Sequence, residues 1–234
     1  MLKAHIIKKR RELCVDVDLR LGQGCCLGLF GASGAGKSTV LACIAGIETP
    51  DDGYVELDGL KFFPPSLPLY KRPIGYLTQE PGLFPHLSVS ENITFGIPGN
   101  RVSKEQLEWI ETLRDRLQLA PLWNARASLI SGGQARRVSL ARMLARKPPL
   151  ILLDEPFAGL DRQLVRELID DLVFWSRTMA FSMIAVDHQA EVLQRLCPAQ
   201  AVVLEEGKIV QQGPWEELCR APATPLLRSL LAPL

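Results

Sequence analysis

Residues 31–38 read Gly-Ala-Ser-Gly-Ala-Gly-Lys-Ser, the spacing G-x-x-x-x-G-K-S/T, and no other stretch narrows the fold so far. The apolar run CCLGLF stands before it and KSTVLACIAG follows, so the loop joins a strand to a helix. Glycine backbones let successive N–H groups turn inward on one centre, where the helix N-terminus adds a partial positive charge. Such a cradle takes the phosphates of a nucleotide. Lys37 then reaches the β- and γ-phosphates, and the Ser38 hydroxyl ligates Mg2+. The expected nucleotide-binding stretch is Gly31, Ala32, Ser33, Gly34, Ala35, Gly36, Lys37, Ser38 and Thr39. A merely flexible Gly-rich turn is the alternative, and the flanking strand and helix weigh against it.

The rest of the chain parses into short elements. Apolar runs and Gly-containing turns predict strands over the first thirty residues, and Gly46 closes the helix after the phosphate loop. DDGYVELDGLKFF reads as a hairpin and PPSLPLYKRP as a Pro-rich loop before the strand IGYL. Ser103 with Gln106 is a capping box for a helix through Leu117. Beyond it PLILLD, a helix over 162–177, FSMIAV and a helix over 189–196 alternate, which predicts a parallel sheet covered by helices. AVVLEEGKIVQQG is a final hairpin turning at Glu206-Gly207. The expected architecture is α/β: a mostly parallel sheet, an antiparallel N-terminal β part, and a helical subdomain over roughly 86–146 inside one domain spanning 1–234.

Two further stretches carry chemistry. LILLDEP places Asp154 and Glu155 where an apolar strand leaves the sheet. Asp154 suits a Mg2+ ligand, and Glu155 a general base that polarises an attacking water. The second stretch is LISGGQARRVSLAR, a helix opened by Ser131-Gly132-Gly133, with Arg136, Arg137 and Arg142 on its following turns. Bare amides ahead of a helix dipole form a second anion site.

Bulk composition excludes some classes. With 27 basic and 26 acidic residues, net charge +1, the chain is not built to coat nucleic acid or anionic lipid. Its six cysteines show neither CxxC nor zinc spacing, and Cys25 and Cys26 are expected to be buried reduced thiols. No run of about eighteen apolar residues occurs, so a soluble, cytoplasmic chain is expected.

In the order GASGAGKST, ISGGQ, LILLDEP, AGLD and VDH, the chain resembles the nucleotide-binding subunit of an ABC transporter over nearly its whole length. The resemblance implies an ATPase in which two cassettes close head to tail, each signature helix binding the γ-phosphate held by the other's phosphate loop. Ser131, Gly132, Gly133 and Gln134 would serve the partner's ATP. Gln79 matches the lid glutamine that reaches Mg2+ and the attacking water, Asp161 the loop that couples the two sites, and His188 the switch histidine that contacts the γ-phosphate. The catalytic set implied is Glu155, His188 and Gln79, and the metal set Ser38, Gln79 and Asp154. One departure is the absence of any aromatic residue before Phe30, where many relatives stack one on adenine. Arg10, Arg11 or His5 is then the expected cover. The switch reads Asp-His-Gln where Thr-His-Asp is usual.

KRPIGYLTQEPGLFPHLSVSENITFG resembles importer cassettes, closest to those of the molybdate type, whose usual small C-terminal oxyanion-binding domain would be missing after Leu234. Leu83 and Phe84, set between prolines, are expected to be exposed and to meet the membrane subunits. Partners implied are a second copy, permease subunits and an external substrate-binding protein, at the cytoplasmic face of the inner membrane. An exporter, a soluble ABC ATPase without transport, and a nucleotide-sensing scaffold stand as alternatives.

Overall fold

The computed structural model describes residues 1–11, 13–97 and 103–231. Strands β1 (Leu2–Lys9), β2 (Cys14–Leu21) and β3 (Cys26–Phe30) open the chain. β2 buries Val15, Val17, Leu19 and Leu21 and exposes the residues between them, the period-two pattern of a strand with one wet face. β1 lies antiparallel between β2 and β4 (Asp52–Leu57). β4 turns into β5 (Leu60–Phe63) through Asp58 and Gly59, both at positive φ, as a two-residue hairpin turn requires.

The second half of the sheet is of another kind. β6 (Ile74–Leu77), β7 (Leu150–Asp154), β8 (Ser182–Val186), β3 and β9 (Ala201–Glu205) run parallel. β7 and β8 are buried at every position, because helices cover both faces of a parallel sheet and leave no wet side. β10 (Lys208–Gly213) folds back on β9 and meets β2 at one pair, Lys208 with Asp16. Among the described residues the full order is β5-β4-β1-β2-β10-β9-β3-β8-β7-β6.

Helix α1 (Lys37–Ala45) lies between the two halves, and Val40 to Ala45 are all buried. That explains why VLACIA carries no charged residue. Gly46 ends the helix at φ 86. On the other face, α2 (Val89–Thr94), α3 (Lys104–Arg116) and α4 (Gly132–Ala145) pack together. They share an apolar cluster with β6, β7, α5 (Arg162–Met179) and α6 (Ala190–Leu196). Capping boxes at Ser88, Ser103 and Ser131 start α2, α3 and α4. Residues 98–102 of the expected helical subdomain lie outside the described residues, as do Glu12 and 232–234. The short helices α7 (Trp215–Arg220) and α8 (Pro225–Leu231) have no counterpart in the sequence reading.

Cys25 departs from expectation. It is exposed, and its N–H closes a turn on the Gly22 carbonyl at 3.3 Å, while Cys26 is half-buried. Two glycines at positions 22 and 24 bend the chain before the strand begins, so the apolar pair straddles the strand start. No described helix is long and apolar enough to cross a membrane.

Candidate active site

The phosphate loop runs from the end of β3 into α1. Gly31, Gly34 and Gly36 take φ values of 146, 80 and 102, and α1 has no side-chain cap, so its first amides stay open to a ligand. The buried Lys37 ammonium turns back onto the loop, donating to the Gly31 and Ala32 carbonyls at 2.8 Å each. Burial pulls its pKa down, opposed by the nearby charges of Glu155 and Asp154.

Two of these glycines differ in what surrounds them. A Cβ on Gly31 would stand 2.2 Å from the Leu204 carbonyl oxygen, whereas one on Gly34 meets nothing within 4 Å among the described residues beyond its chain neighbours. Gly34→Ala should therefore cost only the left-handed strain, about 1–2 kcal/mol. Gly31→Ala adds a main-chain clash and should lower the melting temperature by clearly more. Equal thermal shifts in the two variants would contradict the close approach of β3 to β9.

Asp154 ends β7. Its buried carboxylate accepts from Ser38 Oγ at 3.2 Å and from Tyr76 Oη at 3.3 Å. Burial raises its pKa; the Ser38 hydrogen bond opposes this, the Glu155 charge adds to it, and Tyr76 and Arg136 oppose it. The Tyr76 hydroxyl is itself pushed upward by burial and by the Asp154 charge. A hydroxyl and a carboxylate at the base of the phosphate loop are hard oxygen donors of the kind Mg2+ prefers. No group of three or more His, Cys, Asp or Glu among the described residues could hold a metal alone. The donor set fits an ion whose remaining ligands are phosphate oxygens and water.

Glu155 follows at φ 49, a left-handed conformation that is costly for a residue with a side chain. The carboxylate sits between two other loops. His188 Nε2 lies 2.6 Å from Glu155 Oε1, and Gln79 Nε2 donates to Oε2 at 3.4 Å. Thus the three expected catalytic side chains, from the ends of β6, β7 and β8, meet on one carboxylate. Beside them Asp187 is buried and accepts from the Gln189 N–H at 2.9 Å. Burial raises its pKa, and the hydrogen bond from the Gln189 N–H opposes this.

Ser131 and Gln134 cap α4 reciprocally, at 3.3 and 2.8 Å, so the Gln134 side chain is engaged in its own helix. Among the described residues, nothing outside the flanking residues and the helix's own backbone lies within 4 Å of a Cβ on Gly132, while one on Gly133 would meet the Gly159 carbonyl at 3.0 Å. The arginines that follow do not serve this terminus. Arg137 donates to the Leu117 and Gln118 carbonyls, and Arg142 to those of Pro81 and Gly82. Arg136 is buried and, among the described residues, donates to main-chain carbonyls of residues 78–79 and 154–156. Asp161 caps α5, accepting from the Leu164 N–H at 2.9 Å.

The three stacking candidates take the following places, and one expectation, the exposure of Leu83 and Phe84, needs correction. His5 pairs with Asp16 at 3.1 Å, and Arg10 with Glu48, so both are held by carboxylates. Arg11 is exposed. The side chains beside the phosphate loop are aliphatic: a Cβ on Gly36 would meet Val15 at 2.7 Å and Leu13 at 3.4 Å. Leu83 and Phe84 are half-buried, not exposed. Leu83 packs on the apolar cluster, and the Phe84 ring lies 4.3 Å from that of Phe95. The buried Asn92 fixes this loop, accepting from the Phe84 N–H and donating to the Phe84 and Ser88 carbonyls. Sequence reasoning missed Tyr76 and Asn92 and the role of Arg136, because a polar residue does not reveal in sequence which distant backbone groups it will satisfy.

The pattern of the ABC transporter family matches residues 14–158. The sulfate/thiosulfate import ATP-binding protein CysA of Synechococcus elongatus is 38% identical over 94% of the chain and 63% of its own length. The molybdate/tungstate import ATP-binding protein WtpC of Thermococcus kodakarensis is 37% identical over 94% and 66%. The Fe(3+) ions import ATP-binding protein FbpC of Yersinia pestis is 38% identical over 93% and 63%. The chain thus spans under two thirds of the length of these three relatives. A solved dimer of the ATP-binding cassette MJ0796, bound to ADP and Pi, superposes with a TM-score of 0.79 at 25% identity, covering 92% of this chain and 98% of that one. The fold and site define an ATP-binding cassette, and the chain belongs to the ABC transporter family.

Proposed function

We propose that the chain is the ATP-hydrolysing subunit of an ABC importer, acting as a homodimer docked on membrane permease subunits at the cytoplasmic face of the inner membrane. Residues 1–234 act as one cassette, with 86–146 as its helical subdomain. The observation that carries this reading is the meeting of Gln79 and His188 on the Glu155 carboxylate. A carboxylate oriented from both sides beside a phosphate cradle has the arrangement of a general base for water. Glu155 takes the proton of the water that attacks the γ-phosphorus, and ADP leaves with the cleaved bond's electrons. His188 holds Glu155 in place and borders the γ-phosphate, and Gln79 orients the water. Lys37 and the loop amides bind the phosphates. Mg2+ would neutralise phosphate charge there, and Ser38, Asp154 and Gln79 are the residues that would hold it.

For the cargo we favour an oxyanion of the molybdate or sulfate kind, delivered by an external substrate-binding protein. The CysA and WtpC names support it. The equal identity of FbpC makes ferric iron the specific rival. Uptake of molybdate, sulfate and ferric iron by vesicles holding the chain and its permease decides among them. Absence of Mg2+-dependent ATP hydrolysis by the chain in that complex would remove the enzymatic reading.

Phe84, on the loop that follows Gln79, and the exposed Phe95, at the C-terminal end of α2, form an aromatic pair, suited to a short permease helix. Phe84→Ala should cut uptake at least tenfold while the isolated chain keeps its ATPase rate. Equal uptake by the two proteins would place the permease contact elsewhere.

A further inference from the structure

Arg136 sits on the second turn of α4, where the sequence gives no hint of burial, yet it is 2% exposed. Burying a guanidinium without a carboxylate partner is costly unless its donors are all met. Here carbonyls meet them. Nη1 donates to the Thr78 oxygen and, at 2.8 Å, to that of Gln79. Nη2 donates to the Asp154 oxygen at 2.7 Å and to that of Glu155, and Nε to the Pro156 oxygen at 3.1 Å. One edge of a rigid plane therefore grips the loop of Gln79, and the other grips the loop of Glu155.

The carbonyls of Asp154, Glu155 and Pro156 all reach the same guanidinium, and the left-handed φ of Glu155 lies in the middle of that run. The same helix holds these loops at further points. Ser139 Oγ donates to the Pro81 carbonyl at 2.8 Å, Arg142 to the Pro81 and Gly82 carbonyls, and Gly133 approaches the Gly159 carbonyl. α4 is thus one bar with the Ser131–Gly133 terminus at its start and both catalytic loops fixed along its side.

We propose that Arg136 is a positioning residue that ties the main chains of Gln79 and Glu155 to α4 and to each other, so that seating Ser131–Gly133 on a partner's nucleotide sets the two side chains that act on water. This rests on the hydrolysis reading above. Lysine cannot replace it, since one ammonium with three donors does not span both loops.

The test compares full-length wild type, Arg136→Lys and Arg136→Met by steady-state ATP hydrolysis, thermal melting and amide hydrogen exchange without nucleotide. In both variants kcat should fall at least tenfold with KM for ATP within about twofold, because the phosphate loop is untouched. Exchange in residues 76–82 and 154–160 should accelerate together, with residues 31–39 unchanged. If Arg136→Met does not fold, Arg136→Lys carries the comparison. Unchanged exchange in either loop, accelerated exchange with unchanged kcat, or a rise in KM that accounts for the loss would each overturn the proposal. A wild-type chain without turnover would instead sink the hydrolysis reading, and exchange measured in the two loops would still show whether the clamp exists.

Discussion

Glu155→Gln is expected to keep ATP affinity and to lose about 10²- to 10⁴-fold in turnover, the usual range for removing a general base. Glutamine has nearly the same shape, tolerates the same backbone, and can still meet Gln79 and His188 through its amide. The phosphate contacts come from Lys37, Ser38 and the loop amides, which the substitution leaves alone. Lys37 does lose one nearby negative charge, since both Glu155 and Asp154 oppose the effect of burial on its pKa. That lowers its pKa further, yet Asp154 remains to favour the ammonium, so nucleotide should still bind. Nucleotide titration alongside single-turnover hydrolysis separates the two effects. Turnover equal to wild type would remove Glu155 from the role of base, and weakened binding in proportion to rate would make it a binding residue.

How much of this site was legible in the sequence depended on whether chemistry is written in local spacing. The phosphate loop was, because three glycines at φ values of 146, 80 and 102 are a requirement of its backbone. The capping box at Ser103 was, because its partner Gln106 lies three residues on. β7 and β8 could be read as buried strands from their unbroken apolar runs. What the sequence hid was long-range polar satisfaction. In sequence Arg136 and Arg137 are two like cations on the turns after Ser131–Gly133, and only the fold shows that one reaches carbonyls on two loops while the other reaches those of Leu117 and Gln118. The exposure of Cys25 was hidden for a simpler reason. A turn's exit and a strand's first residue have the same composition when both are cysteine. Phe84 was misread because Asn92, eight residues on, draws its loop inward.

Gly132→Asp should leave the chain folded and able to bind ATP on its own phosphate loop, while ATP-driven dimerisation and hydrolysis both fail. Within one chain the substitution has room, since among the described residues no atom outside the flanking residues and the helix's own backbone lies within 4 Å of the new Cβ. A carboxylate in the first turn of α4 even complements the helix dipole. Any loss therefore arises between chains. If the terminus of α4 faces a partner's γ-phosphate, a carboxylate about 4 Å from one phosphate charge costs about 4 kcal/mol at an effective dielectric of 20, close to a thousandfold in the dimer equilibrium. In the Glu155→Gln background, ATP should convert monomers to dimers holding two nucleotides. Adding Gly132→Asp should leave monomers with one nucleotide each. Mixing Gly132→Asp chains with Lys37→Ala chains restores at most one working site per heterodimer, built from the phosphate loop of the first and the signature helix of the second. Size-exclusion chromatography with bound-nucleotide counting reads all three states. A Gly132→Asp chain that hydrolyses ATP at the wild-type rate would show that the amides ahead of α4 serve only their own helix.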